Sequence, residues 1–335
     1  MISGHRRSPV ELSTGPQRGA PGWATLARVH RLPSLLPDGL ARRADLTRTT
    51  SSSSVSRWLA DGDIVLVHPG VVALPHRAAD WYVRASAAVL WTGGPLSHLS
   101  ALVAAGLVTA PDGPVHVTVT LDRCPRDDSS VIAHRSRRRL VTIRCGRLEV
   151  VEPTRSLVDA WSWAHAPRRN PSAGREAPLV RRALIEGARN HGIRAAAVRA
   201  ESDRRPRHPG RARLVELLDL IAGGCQSELE IWGVRQVLPG PPRVPAYVQQ
   251  YPVRLPDGRC IHLDAAYVEA RVAVELDGAA FHGSREARER DLRRDSALAA
   301  LGWVVLRFSY ERLTRDPAGC RAEIVAVVLR RLAHH

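Results

Sequence analysis

Lysine is absent from this chain. Its 49 basic residues other than histidine are all arginines, set against 33 acids over 335 residues, for a net charge of +16. No apolar run approaches the roughly 18 residues needed to cross a bilayer, so a helical membrane span is excluded. The opening segment MISGHRRSPVELSTGPQ lacks the apolar centre of a secretion signal, and a cytoplasmic location is expected. Cysteine is sparse. The five cysteines (Cys124, Cys145, Cys225, Cys260 and Cys320) are odd in number, and no pair has zinc-ligand spacing, which leaves free thiols as the expectation. At 44% hydrophobic and 24% charged residues the chain is globular in composition, and its length calls for two or three cores.

The positive charge is concentrated. Residues 168–213 carry 13 arginines against 4 acids, the electrostatic footprint of a phosphate-backbone binder. A coding bias toward arginine also contributes to that impression. Nucleic acid, double-stranded DNA in particular, is the expected partner, with no membrane. Pro/Gly/Arg-rich stretches at 166–178 and 201–213 mark linkers. The expected divisions are a disordered tail (1–20), an N-terminal unit (21–80), a middle unit (81–165), a basic linker and helix (166–213) and a C-terminal domain (214–335).

In the N-terminal unit, the order of elements predicts a winged helix-turn-helix. Ala41 to Arg48 forms a first helix and Ser53 to Ala60 a second, in which Val55, Trp58 and Leu59 share one buried face. Ser52, Ser54, Ser56 and Arg57 are then free to approach a groove. Residues 64–67 and 71–74 flank His68-Pro69-Gly70 as a two-stranded wing. Such a module serves equally as a docking surface for a protein partner. The middle unit contributes an alternating strand, PVHVTVT (114–120), and a helix in VEPTRSLVDAW (151–161) with Thr154 placed to cap it. His98 and His116 have no carboxylate or thiol at metal-ligand spacing and are expected to be structural.

The C-terminal domain carries the chemistry. In RVAVELDG, Val272, Val274 and Leu276 occupy one strand face and Glu275 and Asp277 the other. Two anions on one face repel unless a cation lies between them. In the preceding strand, CIHLDAAYV, Ile261, Leu263 and Ala265 oppose His262, Asp264 and Ala266. With Glu269-Ala270 as a two-residue turn, Asp264 faces Glu275, their side-chain bases about 5 Å apart. Three carboxylates then converge on a patch suited to Mg²⁺ or Mn²⁺. A helix follows, and its apolar stripe at Ala297, Leu298 and Leu301 turns polar at Arg290, Asp291 and Arg294, either as part of a site or as an Asp291/Arg294 pair tying helix to sheet. Glu230 fits two roles, one facing the carboxylates and one closing a capping box begun by Ser227.

These segments resemble known families. GLARRADLTRTTSSSSVSRWLADGDIVLVHPGVVALP, with the middle unit, is similar to AbiEi-type antitoxins. SELE, LDAAYVEARVAVELDGAAFHG and RDLRRDSALAALGWVVLRF resemble nucleases related to very short patch repair endonucleases. The second resemblance implies a PD-(D/E)XK core, a mixed sheet flanked by helices, giving a multidomain α/β (α+β) protein with a winged helix and a small α+β middle domain. It makes Asp264 the motif aspartate, Glu275 the acid of the E-x-K element and Glu230 the helix acid, with His282, Asp291, Arg294 and Asp295 at the polar positions that follow. Arg294 is also a candidate DNA contact. Where the superfamily has lysine this chain has Asp277, a form the relatives share, so His282 or a metal-bound hydroxide must handle the proton. A metal-dependent DNA endonuclease is the implied function, and a non-catalytic DNA-binding regulator the alternative.

Overall fold

The computed structural model describes residues 32–126, 128–277 and 285–334. The chain divides into two compact units, residues 1–93 and 94–335. Among the described residues no helix is long and apolar enough to cross a membrane.

In the first unit, α1 (Leu32–Leu35) leads to β1 (Leu40–Arg42), α2 (Arg43–Thr49) and α3 (Ser52–Asp61), then β2 (Val65–His68), β3 (Val71–Ala73) and α4 (Trp81–Thr92). The sheet is antiparallel in the order β1-β3-β2. The expected first helix begins later than the sequence suggests, because Ala41 and Arg42 pair with Val72 and Val71 instead. Ser51 caps α3 by accepting from the Ser54 N–H at 3.1 Å. Val55 and Trp58 are buried among Leu46, Ile64 and Val72, the face their spacing predicts. Ser52, Ser56 and Arg57 are exposed, whereas Ser54 is half-buried and its hydroxyl accepts from Ser51.

The second unit begins with α5 (His98–Ala104), the parallel pair β4 (Val115–Thr120) and β5 (Val131–Ser136), and the antiparallel pair β6 (Thr142–Cys145) and β7 (Leu148–Val151). Leu96 bridges β4 and β7. Helix α6 (Pro153–Ala164) is capped by Glu152, which accepts from the N–H groups of Thr154 and Arg155. The cap thus falls two residues before Thr154, since Pro153 occupies the first helical position and needs no partner there. Helices α7 (Ala173–Asn190), α8 (Ala195–Asp203) and α9 (Arg211–Ala222) pack on α6 through Val180, Leu184, Val198 and Leu214. Helix α7 starts inside the stretch whose composition suggests a linker. Its buried face (Val180, Ala183, Leu184) carries it through Pro178, which costs the helix one hydrogen bond in its second turn.

After α10 (Glu228–Gln236) come β8 (Val248–Arg254), β9 (Cys260–Tyr267), β10 (Val272–Asp277), α11 (Arg285–Ala300), β11 (Val304–Ser309), α12 (Tyr310–Arg315) and α13 (Pro317–Leu332). The sheet order is β11-β10-β9-β8, with β10 parallel to β11 and the other pairs antiparallel. One face packs Val272, Val274, Leu276 and Phe308 against α10 and α13 through Leu229, Ile324 and Val328. The other packs Leu263, Ala266 and Ala273 against α11 through Leu298. Burial on both faces explains the near-continuous apolar character of β10.

Candidate active site

The hairpin of β9 and β10 sets the site. Its register pairs Tyr267 with Val272, Ala266 with Ala273 and Ala265 with Val274, and Arg271 donates to Val268 at 3.1 Å across the Glu269-Ala270 turn. Asp264 and Glu275 are the next residues along. There the ladder gives way, and the Asp264 carboxylate Oδ2 accepts from the Leu276 N–H at 3.0 Å. Opposite Asp264 on β8, Gln250 has φ 46 and the β8–β9 pairing skips that position. The alternation expected along β9 therefore breaks at Asp264. Ile261 and Leu263 pack toward α11 while Ala265 packs on the opposite face, not beside them. The register is the same on either side of this unpaired position, so the irregularity is local and re-aims side chains without shifting the strands.

Burial pushes the Asp264 carboxyl up to about 6, and the charges of Glu230 and Glu275 add to the rise. The Leu276 N–H and Arg294 oppose it. Glu230 sits at the start of α10 with its carboxylate turned back on the residue before the Ser227 cap. Its N–H donates to Ser227 at 3.1 Å, its carboxylate accepts from the Gln226 N–H at 2.9 Å, and its charge reaches Asp264. Gln250 also donates to it at 3.3 Å.

Glu275 is 5% exposed and lies between two arginines. Arg307 Nε donates to Oε2 at 2.9 Å. Arg294 Nη2 lies 2.6 Å from Oε1, off the hydrogen-bonding direction, so Oε1 and Arg294 Nε are buried without hydrogen-bond partners. Arg294 also donates to the His262 carbonyl at 3.3 Å. Arg307 grips Asp295 with two further bonds of 2.6 and 2.8 Å. The helix-to-sheet tie is thus made by Arg294–Glu275 and Asp295–Arg307, and not by an Asp291/Arg294 pair. Asp291 is exposed because it sits one turn before Arg294, beyond the part of α11 that packs on the sheet.

Arg307 is a residue of the site that strand periodicity does not single out. Parallel pairing of β10 with β11 sets it beside Glu275, and its signal was a lone charge within the apolar strand WVVLRFS. His282 lies outside the described residues, and of Asp277 only the backbone is described, in the last position of β10. Among the described residues no three carboxylates, imidazoles or thiols are grouped to hold a metal ion. What the site does offer is hard oxygen donors: Asp264, crowded by two acids, and Glu275, whose Oε1 is ion-paired with Arg294 but accepts no hydrogen bond.

A restriction-endonuclease-like family model, REase_MTES_1575, matches residues 257–328. No curated protein matches the chain. Among solved structures it is similar to the RV2827C protein from Mycobacterium tuberculosis, at 18% identity over 60% of this chain and 78% of that one, with a TM-score of 0.40. The family match spans β9, β10, α11 and β11, the elements that carry Asp264, Glu275, Arg294 and Arg307. The C-terminal domain is nuclease-like.

Proposed function

We propose that this protein binds DNA and hydrolyses its phosphodiester bonds with a divalent cation. One observation carries the reading. Within the endonuclease-like match, burial first, and then the charges of Glu230 and Glu275, raise the Asp264 carboxyl to about 6, and a bound cation would offset both the burial and the repulsion. Asp264 and Glu275 would hold Mg²⁺ or Mn²⁺, with Asp277 and Glu230 completing the acidic set. The ion would supply a water activated at neutral pH and charge stabilisation at the phosphate. His282 is the proposed proton acceptor, and Arg294 and Asp295 set the position of Glu275 through their arginine–carboxylate pairs. The helix pair α2–α3 and the β2–β3 hairpin support a winged-helix reading in which Ser52, Ser56 and Arg57 meet the duplex, as in the AbiEi-type resemblance.

A second reading rests on an equally specific observation. Two guanidiniums already compensate Glu275, and a site neutralised in this way suits a DNA-binding regulator that keeps the nuclease fold as a scaffold. Incubating supercoiled plasmid with Mg²⁺ or Mn²⁺ separates the two. The enzyme reading expects nicking that chelation and Asp264→Ala both abolish. Cleavage surviving both, or DNA binding with no cleavage under either metal, sinks it.

A further inference from the structure

A polar cavity lies in the other half of the 94–335 unit, remote in sequence from the carboxylates. It has a volume of about 320 Å³ and is walled by β4, β5 and α6 with the start of α5, within the size range of small-molecule sites. Three imidazoles meet there. The parallel register of β4 and β5 places Thr118 beside His134. His98 stacks on His134 with ring centroids 3.5 Å apart and planes within 14°. His116 joins them edge to edge, its Nδ1 2.9 Å from His134 Nε2, and Trp163 stands across His134 at 4.9 Å.

These rings are built to be flat and uncharged. Burial lowers His116 to about 4, and burial followed by the charge of His116 lowers His134 to about 3. Burial, together with His134, His116, Arg205 and Arg155, takes His98 well below its ordinary value. His98 also has φ 49, a backbone conformation that side-chain-bearing residues rarely adopt and that clusters at ligand sites. Two lining residues carry buried polar atoms without a hydrogen-bond partner: Thr118 Oγ1, on a side chain 3% exposed, and Trp163 Nε1. Native interiors rarely leave such atoms unsatisfied.

Charge decides what enters. Arg135, Arg155, Arg169 and Arg205 line the cavity with one acid, Asp159, and buried Glu201 lies 3.6 Å from Arg155. Asp159 is already engaged, by Arg155 at 2.5 Å and by Arg205. No carboxylate among the described residues pairs with Arg169. A cation is repelled here, and the described histidines are not grouped to hold a metal. An anion is drawn in, with arginine the side chain best shaped for phosphate oxygens. Bare phosphate would leave most of the cavity to water and the ring wall unused.

We propose that this cavity binds a nucleoside phosphate, either as a free nucleotide or as the terminal nucleotide of a strand. The arginines take the phosphoryl group, the imidazole–indole wall meets the base, and Thr118 and Trp163 supply the missing hydrogen bonds. Calorimetric titration of the full chain with AMP, CMP, GMP, UMP, inorganic phosphate, and 5′-phosphorylated or 5′-hydroxyl single-stranded hexamers tests it. At least one mononucleotide or the phosphorylated hexamer should bind, with inorganic phosphate at least about tenfold weaker. Binding by the mononucleotide identifies a free ligand, and by the phosphorylated hexamer alone a strand end. Arg169→Glu, at an exposed position, and Trp163→Phe, which keeps the ring but loses Nε1, should each weaken binding about tenfold or more. Circular dichroism should be unchanged in both. Four outcomes overturn the proposal: no binding by any nucleotide or hexamer, phosphate as tight as nucleotide, indifference to both substitutions, or loss of binding in Asp264→Ala. The last would put the nucleotide at the carboxylate site.

Discussion

Glu275 and Arg307 sit side by side on the parallel strands β10 and β11, joined by a 2.9 Å charge-assisted hydrogen bond. The same guanidinium reaches across to Asp295 on α11, so one side chain fixes the carboxylate and locks the helix to the sheet. Arg307→Met removes the bond to Glu275 and both bonds to Asp295, and leaves Glu275 to Arg294 alone. A buried charge stripped of a partner is costly, and Arg307 is itself 34% exposed. The expected loss is therefore moderate, about 2 kcal/mol. Urea denaturation checks this, and a loss no larger than that of an ordinary surface substitution would show that Arg307 does not hold Glu275.

Asp264 should make stability fall as pH rises. Its carboxyl is raised in the folded protein to about 6, above its value in an unfolded chain. Between those two values the folded state holds more protons than the unfolded one, so the contribution is fully present below about pH 4 and lost by about pH 6 to 7. Asp264→Asn, which keeps an acceptor for the Leu276 N–H, should stabilise the protein at pH 7.5 relative to its effect at pH 4.5. Denaturation curves at the two pH values give the comparison, and an equal effect at both would refute the raised carboxyl.

Divalent cations should act on the same residue. With millimolar Mg²⁺ at pH 7.5 the unfolding temperature of the wild type is expected to rise through mass action. Asp264→Asn should blunt that rise, and so should lowering the pH below 6, where the carboxyl is protonated. Differential scanning calorimetry reads both. A rise of the same size in wild type and variant would place the ion elsewhere.

Arg57, exposed on α3, bears on the first unit separately. Arg57→Ala should weaken duplex binding at low salt and lower the slope of log affinity against log salt by about one. Fluorescence anisotropy over a salt series measures it. An unchanged slope would remove Arg57 from the interface and favour α3 as a protein-docking face.

Gly210 tests the packing of α6 against the loop before α9. It has φ +73, and a Cβ there would lie 2.6 Å from the His165 ring and 2.8 Å from Trp161 Nε1. The Trp161 indole donates to the Gly210 carbonyl at 2.9 Å. Gly210→Ala should therefore cost about 2 kcal/mol or more, from strain and a displaced ring together. Thermal unfolding that leaves the midpoint unmoved would contradict this.

Much of the C-terminal domain is legible in the sequence. Period-two patterning in RVAVELDG and CIHLDAAYV marked both strands, and the stripe at Ala297, Leu298 and Leu301 marked the face of α11 that packs on them. The turn at Glu269-Ala270 sets the hairpin register, because side chains alternate with period two and a one-residue slip would turn Val272 and Val274 away from α10 and α13 to the face packed on α11. Strand β8 was not legible. Its sequence, VQQYPVR, has a proline and little alternation, and it is held as an edge strand by pairing with β9. Ser51 capping α3 lay within local reach, whereas Glu152 displacing Thr154 as cap depended on how Pro153 seated the first turn.

The sequence by itself determined where carboxylates cluster and which faces are apolar, since both follow from periodicity within a single element. Only the tertiary structure decided what those carboxylates meet. Arg307 comes beside Glu275 through a parallel pairing 32 residues away, and His98, His116 and His134 converge from a helix and two strands. Non-local pairing leaves no periodic trace in the chain. It is chosen by the burial of whole faces, so the partner of each charge, and with it the chemistry of the site, is settled only when those faces close.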